Sequence, residues 1–330
     1  MVRLCAYTAR LGEFTLKSRQ RIIPNIWCPG TADAAAAFYA RVFPRATVVD
    51  TVTYPTEGLP EFQRPLAGKT LTHDIDVDGY RLTLINAGEE FTPTPALSFF
   101  VNVGPAHVDD PRQLIDALWA GLAAEGAVLL ELGEHEFSPY YGWVADKFGV
   151  TWQLGLTDPA GDPRPFIVPC LLFCGPAQNT AAEAVDAYLD IFPDTEQGVR
   201  LQYPAPQGPA TEKSVLFTDF ALSGQWLAAM DSGVEQPFTF SEGISLLVQV
   251  DGQEEIDRLW EGLSAVPEAE ACGWLKDRWG VSWQIVPTNM AELMATPGAW
   301  DTLLGDEEDR RQGVLSRRHG RHGRRGYVPQ

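Results

Sequence analysis

Apolar and polar positions in this chain alternate in short stretches whose period switches between two residues and about 3.6. Ile22-Ile23-Pro24-Asn25-Ile26-Trp27-Cys28 reads as a strand, ended by Pro29-Gly30. Thr31 or Asp33 then caps a helix over 34–43, with Phe38, Val42 and Phe43 on one side and Pro44 stopping it. Strands follow at 46–54, 70–77 and 80–86, the last two joined through Asp78-Gly79, a tight-hairpin signal. The order β-α-β-β-β then starts again. A strand at 96–103 leads to a helix over 111–124 with Leu114, Ile115, Leu118, Trp119 and Leu122 at helical spacing, and strands lie near 127–134, 143–146 and 150–156.

After an Asp- and Pro-rich linker at 158–165 the whole pattern repeats. Gly142-Trp143-Val144-Ala145-Asp146-Lys147-Phe148-Gly149-Val150-Thr151-Trp152-Gln153 returns as Gly273-Trp274-Leu275-Lys276-Asp277-Arg278-Trp279-Gly280-Val281-Ser282-Trp283-Gln284, identical at seven of twelve positions. The stretch 256–263 differs from 115–122 only at Arg258 for Ala117 and Glu261 for Ala120. Matches keep their order along both halves, so the chain is a tandem duplication. The expected organisation is an extension at 1–20, a domain at 21–157, the linker, a second domain at 166–289 and a disordered tail at 290–330.

Composition narrows the partners. The net charge is −19, and seven arginines with no acid fall in 310–330, so the remaining body is more acidic still. Such a body repels nucleic acid and anionic membranes, leaving the tail as the one segment expected to meet a polyanion. No apolar run reaches the roughly 20 residues needed to span a bilayer. Residues 1–20 lack the continuous apolar core of a secretory leader, and five cysteines, an odd number, argue for reduced thiols and a cytoplasmic protein.

The order β-α-β-β-β taken twice per half, with Phe38-Tyr39 in the first helix, resembles the vicinal oxygen chelate (glyoxalase/bleomycin-resistance) superfamily. The run Cys272 to Pro287 is similar to its PhnB-like branch, often described as 3-demethylubiquinone-9 3-methyltransferase. That resemblance implies an α+β fold of tandem domains, each of two βαβββ units forming a cupped eight-stranded mixed sheet around a small-molecule site. It also implies an internal pseudo-dimer within a monomeric chain.

Metal-dependent members take ligands from the first, fourth, fifth and eighth strands of a domain. Carried over, those positions are Pro24 and Asn25 or Pro169 and Cys170, then Asn86 or Asp231, Ser98 or Ser245, and Gln153 or Gln284. Proline has no side-chain donor, and serine and glutamine are weak ligands for zinc or iron, so no metal and no other cofactor is expected. Asn25, Trp27, Asn86, Ser98, Gln153, Cys170, Asp231, Ser245 and Gln284 are therefore candidate ligand-binding residues, with no catalytic residue assigned. Alternation puts Gln153 and Gln284 on the opposite face from Trp152 and Trp283, and the cost of burying an unpaired amide against helices makes the glutamines the expected inward pair; only one of Asn25 and Trp27 is expected to line a wall. Asp146 and Asp277 read as turn-fixing carboxylates, and His73, His107 and His135 as surface or capping residues.

The resulting expectation is a small-molecule binding protein with a metal-free cup. Two alternatives stay open: a metal-dependent or degenerate enzyme of the lyase, isomerase or dioxygenase type, and a structural pseudo-dimer. No G-x-G-x-x-G turn occurs, so nothing in the residues supports methyl transfer from S-adenosylmethionine.

Overall fold

The computed structural model describes residues 20–290, apart from 58, 60, 162, 163 and 272. The extension at 1–19 and the tail at 291–330 lie outside the described residues. Four units follow one another. The first is β1 (Ile22–Pro29), α1 (Ala32–Val42), β2 (Ala46–Thr53), β3 (Thr70–Val77) and β4 (Tyr80–Ala87). The second is β5 (Leu97–Val103), α2 (Pro111–Ala123), β6 (Ala127–His135), β7 (Ser138–Ala145) and β8 (Thr151–Leu156). The third is β9 (Ile167–Phe173), α3 (Ala181–Ile191), β10 (Glu196–Gln202), β11 (Val215–Leu222) and β12 (Gln225–Asp231). The fourth is β13 (Ile244–Val250), α4 (Gln253–Leu263), β14 (Trp274–Lys276) and β15 (Ser282–Pro287).

The strands form two mixed sheets, one of seven strands in the order β14-β15-β13-β1-β4-β3-β2 and one of eight in the order β10-β11-β12-β9-β5-β8-β7-β6. The units combine crosswise. The first and fourth share the seven-stranded sheet, here sheet A, and the second and third share sheet B, so each sheet draws on both halves of the sequence. The seams are antiparallel, with Asn25 opposite Ser245 between β1 and β13 and Ser98 opposite Cys170 between β5 and β9. Sheet A has seven strands because the fourth unit is short. Trp274 follows Leu263 by eleven positions where Trp143 follows Leu122 by twenty-one, and an Ala271–Trp274 bridge stands where the second unit has β6.

One continuous core joins the inner faces of both sheets with the helices, including Ile26 and Leu84 of sheet A and Phe99 and Trp152 of sheet B. The connections that carry the chain from sheet A to sheet B and back touch at Gly243. A Cβ there would lie 1.9 Å from the carbonyl oxygen of Thr92, so backbone approach requires glycine. Thr94 Oγ1 donates to Thr239 O at 2.8 Å and Ser241 Oγ to Thr92 O at 2.9 Å across the same crossing.

Candidate functional site

The repeated segment builds two equal clamps. Asp146 Oδ2 accepts from Tyr39 Oη at 2.7 Å and Trp152 Nε1 at 2.9 Å, while its Oδ1 accepts from the amides of Phe148 and Val150 at 2.8 and 3.2 Å. Asp277 repeats this with Tyr188 Oη at 2.6 Å, Trp283 Nε1 at 2.9 Å and the amides of Trp279 and Val281, both at 3.0 Å. Each aspartate thus fixes the turn before β8 or β15 and ties it to a helix of the other sheet's unit. Burial pushes both carboxyls above the usual aspartate range, against the pull of their donors. With every oxygen engaged, neither is free to act on a substrate.

Alternation then sends the neighbouring glutamines to the opposite face. Trp152 and Trp283 lie in the central core against Tyr39 and Phe43, and Tyr188 and Phe192. Gln153 and Gln284 face away from the helices, onto the concave sides. Gln153 Nε2 donates to Ser98 Oγ at 2.7 Å, and Gln284 Nε2 to Ser245 Oγ at 2.8 Å. In sheet B the Tyr141 hydroxyl also donates to Gln153 Oε1, and Cys170 lies against the same Gln153–Ser98 pair. Sequence reasoning missed Tyr141 as a site residue, although its divergence from Cys272 in an otherwise repeated segment was a signal.

Sheet A offers the equivalent floor in another state. Asn25 is buried with both side-chain polar atoms lacking a hydrogen-bond partner, as does Gln284 Oε1. Trp27 shares this face, because residues two apart on a strand point the same way, and the expectation that only one of Asn25 and Trp27 would do so is corrected. Its indole donates to Gly88 O at 2.7 Å.

Asn86 and Asp231 are not brought to either cup. They alternate with Ile85 and Met230 and so lie on the helix side. Asn86 Nδ2 donates to Thr70 O at 2.9 Å, whereas Asp231 accepts from the amides of Ala181, at the start of α3, and Val215 at 3.1 and 2.7 Å. Both are structural ties. His73 pairs with Asp33 at 2.7 Å and Thr51 at 2.8 Å on the α1 side, remote from the cups. His135 stacks on Phe137 beside Tyr141 at the edge of sheet B.

Each cup also holds an ion pair from equivalent aspartates with unrelated arginines. Arg81 pairs with Asp74 in sheet A. In sheet B, Trp226 occupies the position of Arg81, and Arg164 from the linker reaches Asp219 at 2.7 Å while its guanidinium lies 3.7 Å over the Trp226 ring.

Both sheets therefore carry a glutamine–serine pair at the same structural position on a concave face. The sequence matches the family described as 3-demethylubiquinone-9 3-methyltransferase twice, over residues 20–155 and 165–286. The chain belongs to that family, within the vicinal oxygen chelate superfamily. The solved PhnB protein from Bacillus cereus, which bears the same description, is 30% identical, over 42% of this chain and 100% of its own, with a TM-score of 0.36. Glyoxalase I from Zea mays is 10% identical over 82% of this chain and 95% of its own, with a TM-score of 0.52, a likeness of fold. No curated protein matches the chain.

Residues at the positions where family resemblance points to metal ligands do not fit a zinc or iron site. Asn25, Ser245 and Gln284 in one cup, and Cys170, Ser98 and Gln153 in the other, include no carboxylate and no imidazole, and Asp231 faces away. Among the described residues no three His, Cys, Asp or Glu side chains converge. Burial pushes the Cys170 thiol up to about 12, so the one soft donor is held protonated. Cys28, Cys170 and Cys174 are free and buried. No helix among the described residues is long and apolar enough to cross a membrane.

Proposed function

We propose that the protein binds a small organic ligand on a concave sheet face, oriented by the glutamine–serine pair and without a catalytic metal. The observation that carries this reading is the pair itself, kept in both sheets with the amide donating to the serine. A buried carboxamide held in one rotamer is a positioned polar group of the sort small-molecule sites use sparingly amid apolar walls. The mixed sheets lack the glycine-rich strand-to-helix turn of a parallel dinucleotide fold, so the family's methyltransferase description draws no support from this architecture.

The test is retention. Tag-free protein is incubated with a cell extract, desalted, and examined by native mass spectrometry. A bound small-molecule mass that disappears in a Gln153→Leu, Gln284→Leu double variant supports the reading; no retained mass overturns it. Elemental analysis of the same sample giving about one equivalent of Fe, Zn, Mn or Ni would favour a metalloenzyme instead.

A further inference from the structure

We infer that the two cups are unequal: the cup of sheet B takes a neutral, planar aromatic molecule bearing a hydrogen-bond acceptor, whereas the cup of sheet A is filled by the chain itself. This rests on the ligand-binding reading above and goes beyond it by assigning one cup and one chemical class.

The contrast lies at four equivalent positions, whereas Ser98, Gln153 and Cys170 at the floor are buried just as Ser245, Gln284 and Asn25 are. Leu247, Trp274, Ile85 and Val286 on the concave face of sheet A are buried, while their repeat equivalents Phe100, Trp143, Met230 and Gly155 in sheet B are all partly exposed. Leu59, Leu66, Phe91 and Met290 pack onto the concave apolar cluster of sheet A, beneath which the Asn25 amide is left without a partner. The corresponding cluster of sheet B has only Val168, Cys170 and Ala228 fully buried, bordered by half-buried Phe100, Phe217, Trp226 and Met230. Leu201, paired with Phe217 across β10 and β11, is exposed at the outer wall.

The lining indicates the ligand. Phe100, Phe217, Trp143 and Trp226 present aromatic surface, and Met230 adds a polarisable thioether, which together favour a flat ring system. The indole N–H of Trp143, which stands opposite Gln153 in the β7–β8 register, is buried without a partner among the described residues, as is that of Trp274 in sheet A; only in sheet B is the ring partly exposed, so only there can a ligand's acceptor come beside it. The charge of Arg164 is already balanced by Asp219 and its guanidinium stacked on Trp226, so the cup carries no net charge for an ion to neutralise. The acidic body adds a penalty against anions.

Gly155 makes this testable without damaging the fold. A Cβ built there meets only Tyr141 Cδ2 at 3.7 Å, an ordinary contact, and sheet A has Val286 at the same place. Nile red, neutral and planar with a carbonyl acceptor, serves as the probe for titration of the full chain by fluorescence. The expected result is one saturable site per chain, weakened about tenfold or more by Gly155→Leu and by Phe217→Ala, and unchanged by Val286→Ala. Thermal melting of Gly155→Leu near that of the parent excludes unfolding as the cause. Two equivalents per chain, or a single site abolished by Val286→Ala and kept in Gly155→Leu, would overturn the assignment. So would dye binding that appears only after removal of residues 291–330, which would give cup B to the chain's own C-terminal segment, or binding displaced by self-association, which would give it to a second copy. Tighter binding of the anionic 8-anilinonaphthalene sulfonate overturns the neutral class. Absence of saturable Nile red binding while the extract experiment still shows a retained molecule overturns the ligand class alone; failure of both removes the parent reading.

Discussion

Individual side chains divide into those whose partners are complete and those left waiting. Asp277 satisfies two side-chain donors and two turn amides, an arrangement that a carboxamide cannot reproduce because it has one accepting oxygen. Asp277→Asn is expected to lower stability by at least about 2 kcal/mol in chemical denaturation, since buried donors lose their acceptor. Asn25 is the opposite case. Its amide costs desolvation with nothing returned, so Asn25→Val should be neutral or stabilising, and a loss beyond about 2 kcal/mol would show that the amide has a partner in solution. The Cys170 thiol, raised to about 12 by burial, stays protonated at neutral pH. Its alkylation by iodoacetamide in native protein should remain negligible from pH 7 to 9 and become rapid only on unfolding, as followed by peptide mass mapping. Brisk native labelling at pH 8 would contradict the burial.

At the level of elements, the β-α-β-β-β unit follows directly from local signals. Asp78-Gly79 and Ser223-Gly224 close their hairpins with positive φ at both residues, and Asp110 caps α2 by accepting from the Gln113 amide at 3.1 Å. Seven strands in sheet A depart from the eight expected of each sheet, and the trace of this in the sequence is the shortened interval between Leu263 and Trp274. What local pattern did not reveal is which unit pairs with which, because β1 and β5 have equally apolar edges. The crossing at Gly243 records the choice made. Gly243→Ala forces a Cβ into the Thr92 carbonyl and is expected to cost about 1–3 kcal/mol or more by denaturant titration; a silent substitution would mean that the two connections do not touch.

The molecule as a whole is bound together by exchange between halves. Each sheet takes one unit from each half, and each aspartate clamp reaches from one unit's turn to the helix of another. Residues 21–157 expressed alone would expose the seam edges of both β1 and β5, where backbone donors and acceptors need partners. Such a half should therefore self-associate, with the first unit of one copy completing the second unit of another, and light scattering should report a dimer. A folded, monomeric half would be incompatible with the crosswise sheets.

Sequence alone determined the repeated unit, the turn role of Asp146 and Asp277, and the separation of Gln153 from Trp152, because period and hydrogen-bonding capacity are local properties that alternation on a strand converts into faces. Resemblance to the family, rather than period, set Gln153 and Gln284 beside Ser98 and Ser245. Tertiary structure alone decided that Asn86 and Asp231 turn toward the helices, that Asn25 and Trp27 share a face, and that Phe100, Trp143 and Trp226 stay partly exposed. Those outcomes depend on what packs across from each strand. Two units with nearly the same pattern cannot announce which surroundings will cover them, and burial is conferred by neighbours distant in sequence.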